Sequence, residues 1–323
     1  MEVEGKEVPA PERTVRHLEV DEGGAGQRLD NFLLSRLKGV PKSHVYRIVR
    51  SGEVRVNSGR AGVSRRLALG DKVRVPPIRL AERDESAAAA PLLELPVLFE
   101  DEHILAVDKP PGLAVHGGSG IAHGVIERLR ASRPEAKFLE LAHRLDRDTS
   151  GVLLLAKKRA ALMGLHELLR EHDMDKRYLV AVSGRVRDEK RRVSASLRKF
   201  TTGGGERRVQ VHEEDGQVAQ TVFRRLARSE EFSLLEAQLL TGRTHQIRVH
   251  LAHIGHPVLG DDKYGDLSLN KALRRRGLKR MFLHAASLAF RHPATGTRLK
   301  LHSPLPPDLQ AFVDGTLGAG AGT

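Results

Sequence analysis

The chain has 323 residues, 40% of them hydrophobic and 29% charged, with no cysteine. At about 100–200 residues per domain, this predicts two domains with a substantial core and excludes a wholly disordered chain. The missing thiols exclude disulfide scaffolds, zinc ribbons, iron–sulfur clusters and thiol catalysis. Lys and Arg number 54 against 41 Asp and Glu, a net charge of +13, and such an excess points to a polyanionic partner. No apolar run approaches the roughly 20 residues that span a bilayer. The charged start MEVEGKEVPAPERTVRH does not read as a signal peptide. The expectation is a soluble, cytoplasmic monomer without membrane association.

In chain order, residues 1–25 read as a flexible tail and 26–80 as a small basic module. Between Arg28 and Arg74, twelve Lys or Arg stand against Asp30, Glu53 and Asp71, a surplus of nine. Leu29, Phe32, Leu33 and Leu37 recur at helical spacing, predicting a short helix ended by Gly39. Ser43 is placed to cap a second helix carrying Val45, Ile48 and Val49 and closed by Gly52. EVRVN and DKVRV alternate as strands, with Gly70-Asp71 as a turn signal. Arg47 and Arg50 lie three apart on the second helix, a spacing suited to RNA phosphates. The alternative is that they only solvate its face.

Residues 81–91 read as a linker, 92–310 as one larger domain and 311–323 as a disordered tail. HILAVDKP, GVLLLAKK, YLVAVSGRV and FSLLEAQLL are strand-like runs, with helices at GVIERLRAS and ALMGLHELLREHD. Several strands follow one another after residue 176. This predicts an α+β fold with a mixed, largely antiparallel sheet. TTGGGE (201–206) reads as a loop and KALRRRGLKR (271–280) as a second basic patch.

Three polar segments stand out within apolar surroundings. HRLDRDTSG (143–151) precedes a strand and offers Asp146 and Asp148, which admit a paired-carboxylate hydrolase or a hydrogen-bonded turn. TGRTHQIRVHL (241–251) predicts a helix from Thr244 to Gly255 and supplies Arg243 and Arg248, cations suited to a carboxylate or a phosphate. Its histidines, with His253 and His256, lack the HExxH spacing, so they are expected to be structural and no metal site is expected. VDKPPGLAVHGGSG (107–120) matches neither a P-loop nor a dinucleotide fingerprint, so no nucleotide cofactor is expected.

HRLDRDTSGVLLLAKK, KPPGLAVH, DKRYLVAV, TGRTHQIRVHLAHIGHPVLGDDKYG and FLHAASLAF closely resemble the RluA-type RNA pseudouridine synthases, in family order over residues 104–290. The N-terminal module resembles the alpha-L RNA-binding motif of that family. The resemblance implies isomerisation of uridine to pseudouridine in large-subunit (23S) ribosomal RNA or its assembly intermediates. It implies Asp146 as the catalytic aspartate, Arg248 as its basic partner and Tyr178 as the aromatic against the target base. By the same resemblance Arg144 holds the flipped RNA and Leu283 lies under the base. The alternatives are an enzyme of the same type with other RNA sites, a non-catalytic RNA-binding factor, or a metal-dependent hydrolase. Pseudouridylation is redox-neutral and loses no group, so the expected cofactor is none.

Overall fold

A computed structural model describes residues 14–37, 40–78, 90–117 and 122–317. These fall into two compact units, within residues 1–89 and 90–323.

The first unit contains β1 (Arg16–Glu19), α1 (Leu29–Arg36), α2 (Lys42–Arg50), β2 (Arg55–Val56), β3 (Gly59–Arg60) and β4 (Lys72–Val75). The helices bury the apolar positions that their spacing implied. Leu29, Phe32 and Leu33 of α1 meet Val45, Ile48 and Val49 of α2 and Val56, Val73 and Val75 of the sheet in one core. Each such side chain contributes about 1.5–3 kcal/mol on burial. Three details differ from the sequence reading. Arg16–Glu19 is not a tail but a strand antiparallel to β4, with Val20 buried behind it. Ser43 lies inside α2, whose cap position is Pro41. Proline's missing N–H costs nothing where the first N–H groups lack intrahelical partners. Finally, β3 and the stretch to Leu69 separate β2 from β4, so Gly70-Asp71 does not join those strands directly. Gly52 closes α2 at φ +79°, whereas Gly39 and residues 79–89, most of the expected linker, lie outside the described residues.

The second unit contains β5 (Val97–Glu100), β6 (Ile104–Lys109), α3 (Val125–Ser132), β7 (Glu140–Leu141), β8 (Ser150–Ala156), α4 (Arg159–Arg170), β9 (Asp175–Ser183), β10 (Lys190–Thr201), β11 (Arg207–Val211), β12 (Gln217–Arg228) and β13 (Phe232–Leu239). It continues with α5 (Gln246–His253), α6 (Leu267–Arg275), β14 (Leu283–Arg291), β15 (Arg298–His302) and α7 (Pro307–Leu317). One sheet runs β11-β10-β12-β13-β9-β14-β8-β6-β5, with β15 on β14 and β7 on β8. Among the described residues its pairs are antiparallel except β8 with β14. The fold is therefore α+β with a mixed, largely antiparallel sheet.

Strand β8 is buried on both faces. Leu153 and Leu155 join the core under α3 and α5, and Val152, Leu154 and Ala156 join the core under α4. Gly151, at φ +108°, lies where β8 meets β14, and a Cβ there would collide with the Ala285 carbonyl. Glycine thus permits the parallel approach that places the segment before β8 beside the start of β14. The tail expected over 311–323 is partly a helix: Leu309, Phe312 and Val313 of α7 pack with Leu273, Phe232 and Phe282. The spacing i, i+3, i+4 makes that face apolar. Residues 318–323 lie outside the described residues.

Among the described residues no helix is long and apolar enough to cross a membrane.

Candidate active site

The segment HRLDRDTS enters β8 as a tightly held loop. The half-buried His143 accepts the Leu154 N–H through Nε2 at 3.1 Å. Burial, and next the Lys176 charge, lower its pKa to about 4. The Thr149 N–H donates to the Asp146 carbonyl at 3.2 Å. Lys109, fully buried at the end of β6, donates to the carbonyls of Pro110 and Leu113 at 2.8 Å and of Arg147 at 3.0 Å. One ammonium thus ties the KPPG segment to the loop carrying Asp146, and its three acceptors compensate its desolvation.

Asp146 faces Arg248 of α5. Arg248 Nη1 donates to Asp146 Oδ2 at 3.0 Å. Its other edge forms a fork with Asp261, Nε to Oδ2 at 2.7 Å and Nη2 to Oδ1 at 2.8 Å. The Asp146 side chain is 18% exposed, Arg248 9% and Asp261 0%. Burial opposes the charge on Arg248, but Asp261 and then Asp146 outweigh it and raise its pKa above the ordinary guanidinium value. Burial likewise opposes the charge on Asp261. The Arg248 fork and the N–H groups of Lys263 and Tyr264 outweigh that and lower its pKa. Asp261 therefore anchors the arginine, which presents its remaining N–H to Asp146. The Tyr264 ring, 5.0 Å from the guanidinium, covers it on one side.

Helix α5 begins after His245, at φ 54°. Gln246 secures the turn. Its carbonyl oxygen accepts the Thr241 hydroxyl and the Arg243 N–H, and its amide donates to Gln220 and Thr221. His245 Nε2 lies 3.8 Å from Asp146 Oδ1. Asp146 thus has a cation at one oxygen and an imidazole near the other.

A cleft of about 490 Å³ opens on this pair and is lined in part by Tyr178, Leu283, Ile247, Leu145 and Arg144. Tyr178 on β9 and Leu283 on β14 belong to one apolar cluster with Leu145 and Ile247. Burial, and next the Asp146 charge, raise the Tyr178 pKa, so its phenol is neutral. Arg144 is exposed at the mouth and, among the described residues, is without an ion pair. A basic, partly apolar cleft above one carboxylate can hold a planar base against a ring and present a charged oxygen to its sugar.

The structure brings Asp146, Arg248, Tyr178, Leu283 and Arg144 to one cleft. Arg47 and Arg50 lie in the other unit, exposed on α2, with the Arg50 guanidinium 5.8 Å from the Tyr46 ring. Asp148 does not join Asp146: it pairs with Arg147 at 3.2 Å. Arg243 donates to the Val218 carbonyl instead of a carboxylate. The histidines diverge, His250 to Thr221 and His256 to the Ser183 carbonyl. The basic run 271–280 is partly neutralised, with Arg274 on Asp262 and Arg276 on Glu231. Sequence reasoning missed Lys109, Asp261 and Tyr264. All three stand in quoted motifs, but only the fold shows that Asp261, and not Asp262, meets Arg248.

Residues 103–253 match the family of RNA pseudouridylate synthases, and residues 27–73 match the S4 domain. The ribosomal large subunit pseudouridine synthase C of Yersinia pestis is 54% identical over 286 residues, covering 87% of this chain and 89% of that protein. The protein of the same name from Escherichia coli strain K12 is 52% identical over 288 residues, 87% of this chain and 90% of the other. Among solved structures, human RNA pseudouridylate synthase domain containing 1 aligns with a TM-score of 0.56 at 27% identity, over 68% of this chain and 87% of that one. With sequence likeness of this extent and a shared fold, the chain belongs to the RNA pseudouridylate synthase family.

Proposed function

We propose that the protein converts uridines of large-subunit ribosomal RNA to pseudouridine, with Asp146 as its catalytic carboxylate. The observation that carries this is the placement of one carboxylate, held by Arg248, in a cleft walled by Tyr178 and Leu283. The names of the half-identical relatives support the choice of RNA.

The reaction breaks the bond from N1 of the uracil to C1′ of the ribose, turns the base, and joins C5 to C1′. The C5 proton then leaves and N1 gains one, so atoms and charge balance. Two routes exist: attack of the carboxylate on C1′, or removal of the C2′ proton to give a glycal. Both require a carboxylate placed at the sugar, and Arg248 fixes the orientation of Asp146 through its 3.0 Å hydrogen bond. The base must leave its stack to reach this depth. The Tyr178 ring then offers a face worth about 1–3 kcal/mol per stacked base, Leu283 gives apolar support, and Arg144 meets the RNA at the mouth.

The S4 unit docks the RNA through its basic surface, Arg47 and Arg50 included, and performs no chemistry. The enzyme works as a cytoplasmic monomer without a cofactor or metal. The test is pseudouridine mapping of ribosomal RNA from cells lacking the gene, complemented with the normal protein or Asp146→Asn. Loss of specific large-subunit sites, restored only by the normal protein, is the expected result. An unchanged map overturns the reading.

A further inference from the structure

Tyr264 lies after α5, outside the helix and loop that carry Arg248 and Asp146. Its hydroxyl oxygen accepts the Val209 N–H of β11 at 2.9 Å and meets His245 Nδ1 at 2.7 Å. The two rings stand edge to face, 5.5 Å apart. A hydroxyl oxygen that already accepts one N–H keeps its own proton to donate. Among the described residues the acceptor in reach is Nδ1. The bond at one ring nitrogen sets the state of the other, so Nε2 carries the imidazole proton and faces Asp146 Oδ1. Arg248 holds Oδ2 of that carboxylate, so His245 addresses the oxygen Arg248 leaves free.

His245 sits at φ 54°, a conformation uncommon for any residue but glycine. The groups facing the ring are Asp146 before β8, Arg248 on α5, and Asp261, Lys263 and Tyr264 on the segment after α5. Burial lowers the imidazole to about 4, with Arg248 and Lys263 adding to this against Asp146 and Asp261. It is thus a neutral donor at ordinary pH.

We propose that His245 is a positioning residue for Asp146, a neutral imidazole whose Nε2–H is turned toward Oδ1 by the Tyr264 hydroxyl, which the β11 main chain fixes in turn. This rests on Asp146 as the catalytic group. When substrate enters, the 3.8 Å separation closes to a hydrogen bond, and the carboxylate is then gripped from both sides in one orientation toward the sugar.

The test compares single-turnover rates and RNA affinities of the full-length enzyme with His245→Leu, His245→Gln, Tyr264→Phe and the double variant His245→Leu/Tyr264→Phe, alongside Asp146→Asn. Hydrogen bonds to charged groups carry enough energy for about a tenfold effect. His245→Leu should slow the chemical step about tenfold or more while shifting RNA affinity less than about twofold. His245→Gln, which returns an N–H at the same reach, should recover most of the rate. Tyr264→Phe should slow the step several-fold, and the double variant should be no slower than His245→Leu, because Tyr264 acts through His245. Should His245→Leu not fold, the glutamine and phenylalanine variants carry the decision. A normal rate in Tyr264→Phe, no recovery with glutamine, additive losses, or a loss confined to affinity overturns the proposal. An active Asp146→Asn instead overturns the site on which it rests.

Discussion

Arg248 and Asp146, 102 positions apart in the chain, meet through one hydrogen bond of 3.0 Å. The arginine reaches it while its other edge is engaged by Asp261. The contact is therefore the free end of a pre-set arrangement, not a flexible surface pair.

The first prediction concerns the carboxylates. Asp146→Asn keeps size and polarity but removes the charge that both chemical routes need. Pseudouridine formation should fall below about one-thousandth of normal, with RNA affinity largely kept. Asp148→Asn should retain substantial activity, because Asp148 pairs with the exposed Arg147. Tritium release from labelled uridine measures both. An essential Asp148 beside a dispensable Asp146 would reverse the assignment.

Arg248→Met removes the partner of Asp146 and strands a buried Asp261. Breaking a buried pair costs about 3–5 kcal/mol, which in a unit of this size lowers the melting temperature by about 6–20 °C. Arg243→Met should do far less to either activity or melting. Adding Asp261→Asn to Arg248→Met should recover part of the melting temperature and none of the activity. Calorimetry beside the activity assay separates these effects. Equal, purely affinity-based losses in the two arginine variants would mark the segment as a phosphate clamp.

Much of this arrangement was legible in the sequence. The helical spacing of Leu29, Phe32 and Leu33 and the unbroken run GVLLLA each named a buried face. Arg16–Glu19 gives little sequence signal because it is only four residues long and mostly exposed, with Leu18 its one apolar side chain; its strand character comes from main-chain pairing with β4. Helix α7 was hidden by the glycine-rich residues after it, although Leu309, Phe312 and Val313 carry the period. Asp261 was unreadable for another reason. An acidic pair in a loop does not reveal which member is buried, and only the tertiary meeting with Arg248 decides it.

Acid sensitivity is the third prediction. Burial is the largest cause lowering His143, His245 and His250 from 6.5 to about 4. The unfolded chain therefore binds more protons than the folded one between those values. Stability present above pH 6.5 is lost as pH falls toward 4. Melting temperature should drop across that window, and His143→Gln should flatten the drop. A melting temperature independent of pH from 7 to 4 contradicts this.

The fourth prediction concerns docking. Each neutralised phosphate contributes a log–log salt slope of about −0.7 to −0.9. Arg47→Glu with Arg50→Glu in the full chain should weaken binding to large-subunit RNA and reduce the slope by about 1.4–1.8. The rate on saturating RNA should hold. A salt titration with unchanged slope and affinity would remove these arginines from the interface.

Strand β11 forms one border of the large sheet, and such a border exposes main-chain groups that invite another chain to pair. Here the Tyr264 hydroxyl oxygen accepts the Val209 N–H, and the Lys263 ammonium donates to the Arg207 carbonyl at 3.0 Å. The two residues following Asp262 thus cap the border as well as supporting the site. Loss of either contact would bare groups on which a second molecule can build a strand, so damage to Tyr264 should appear as self-association on storage as well as slower chemistry.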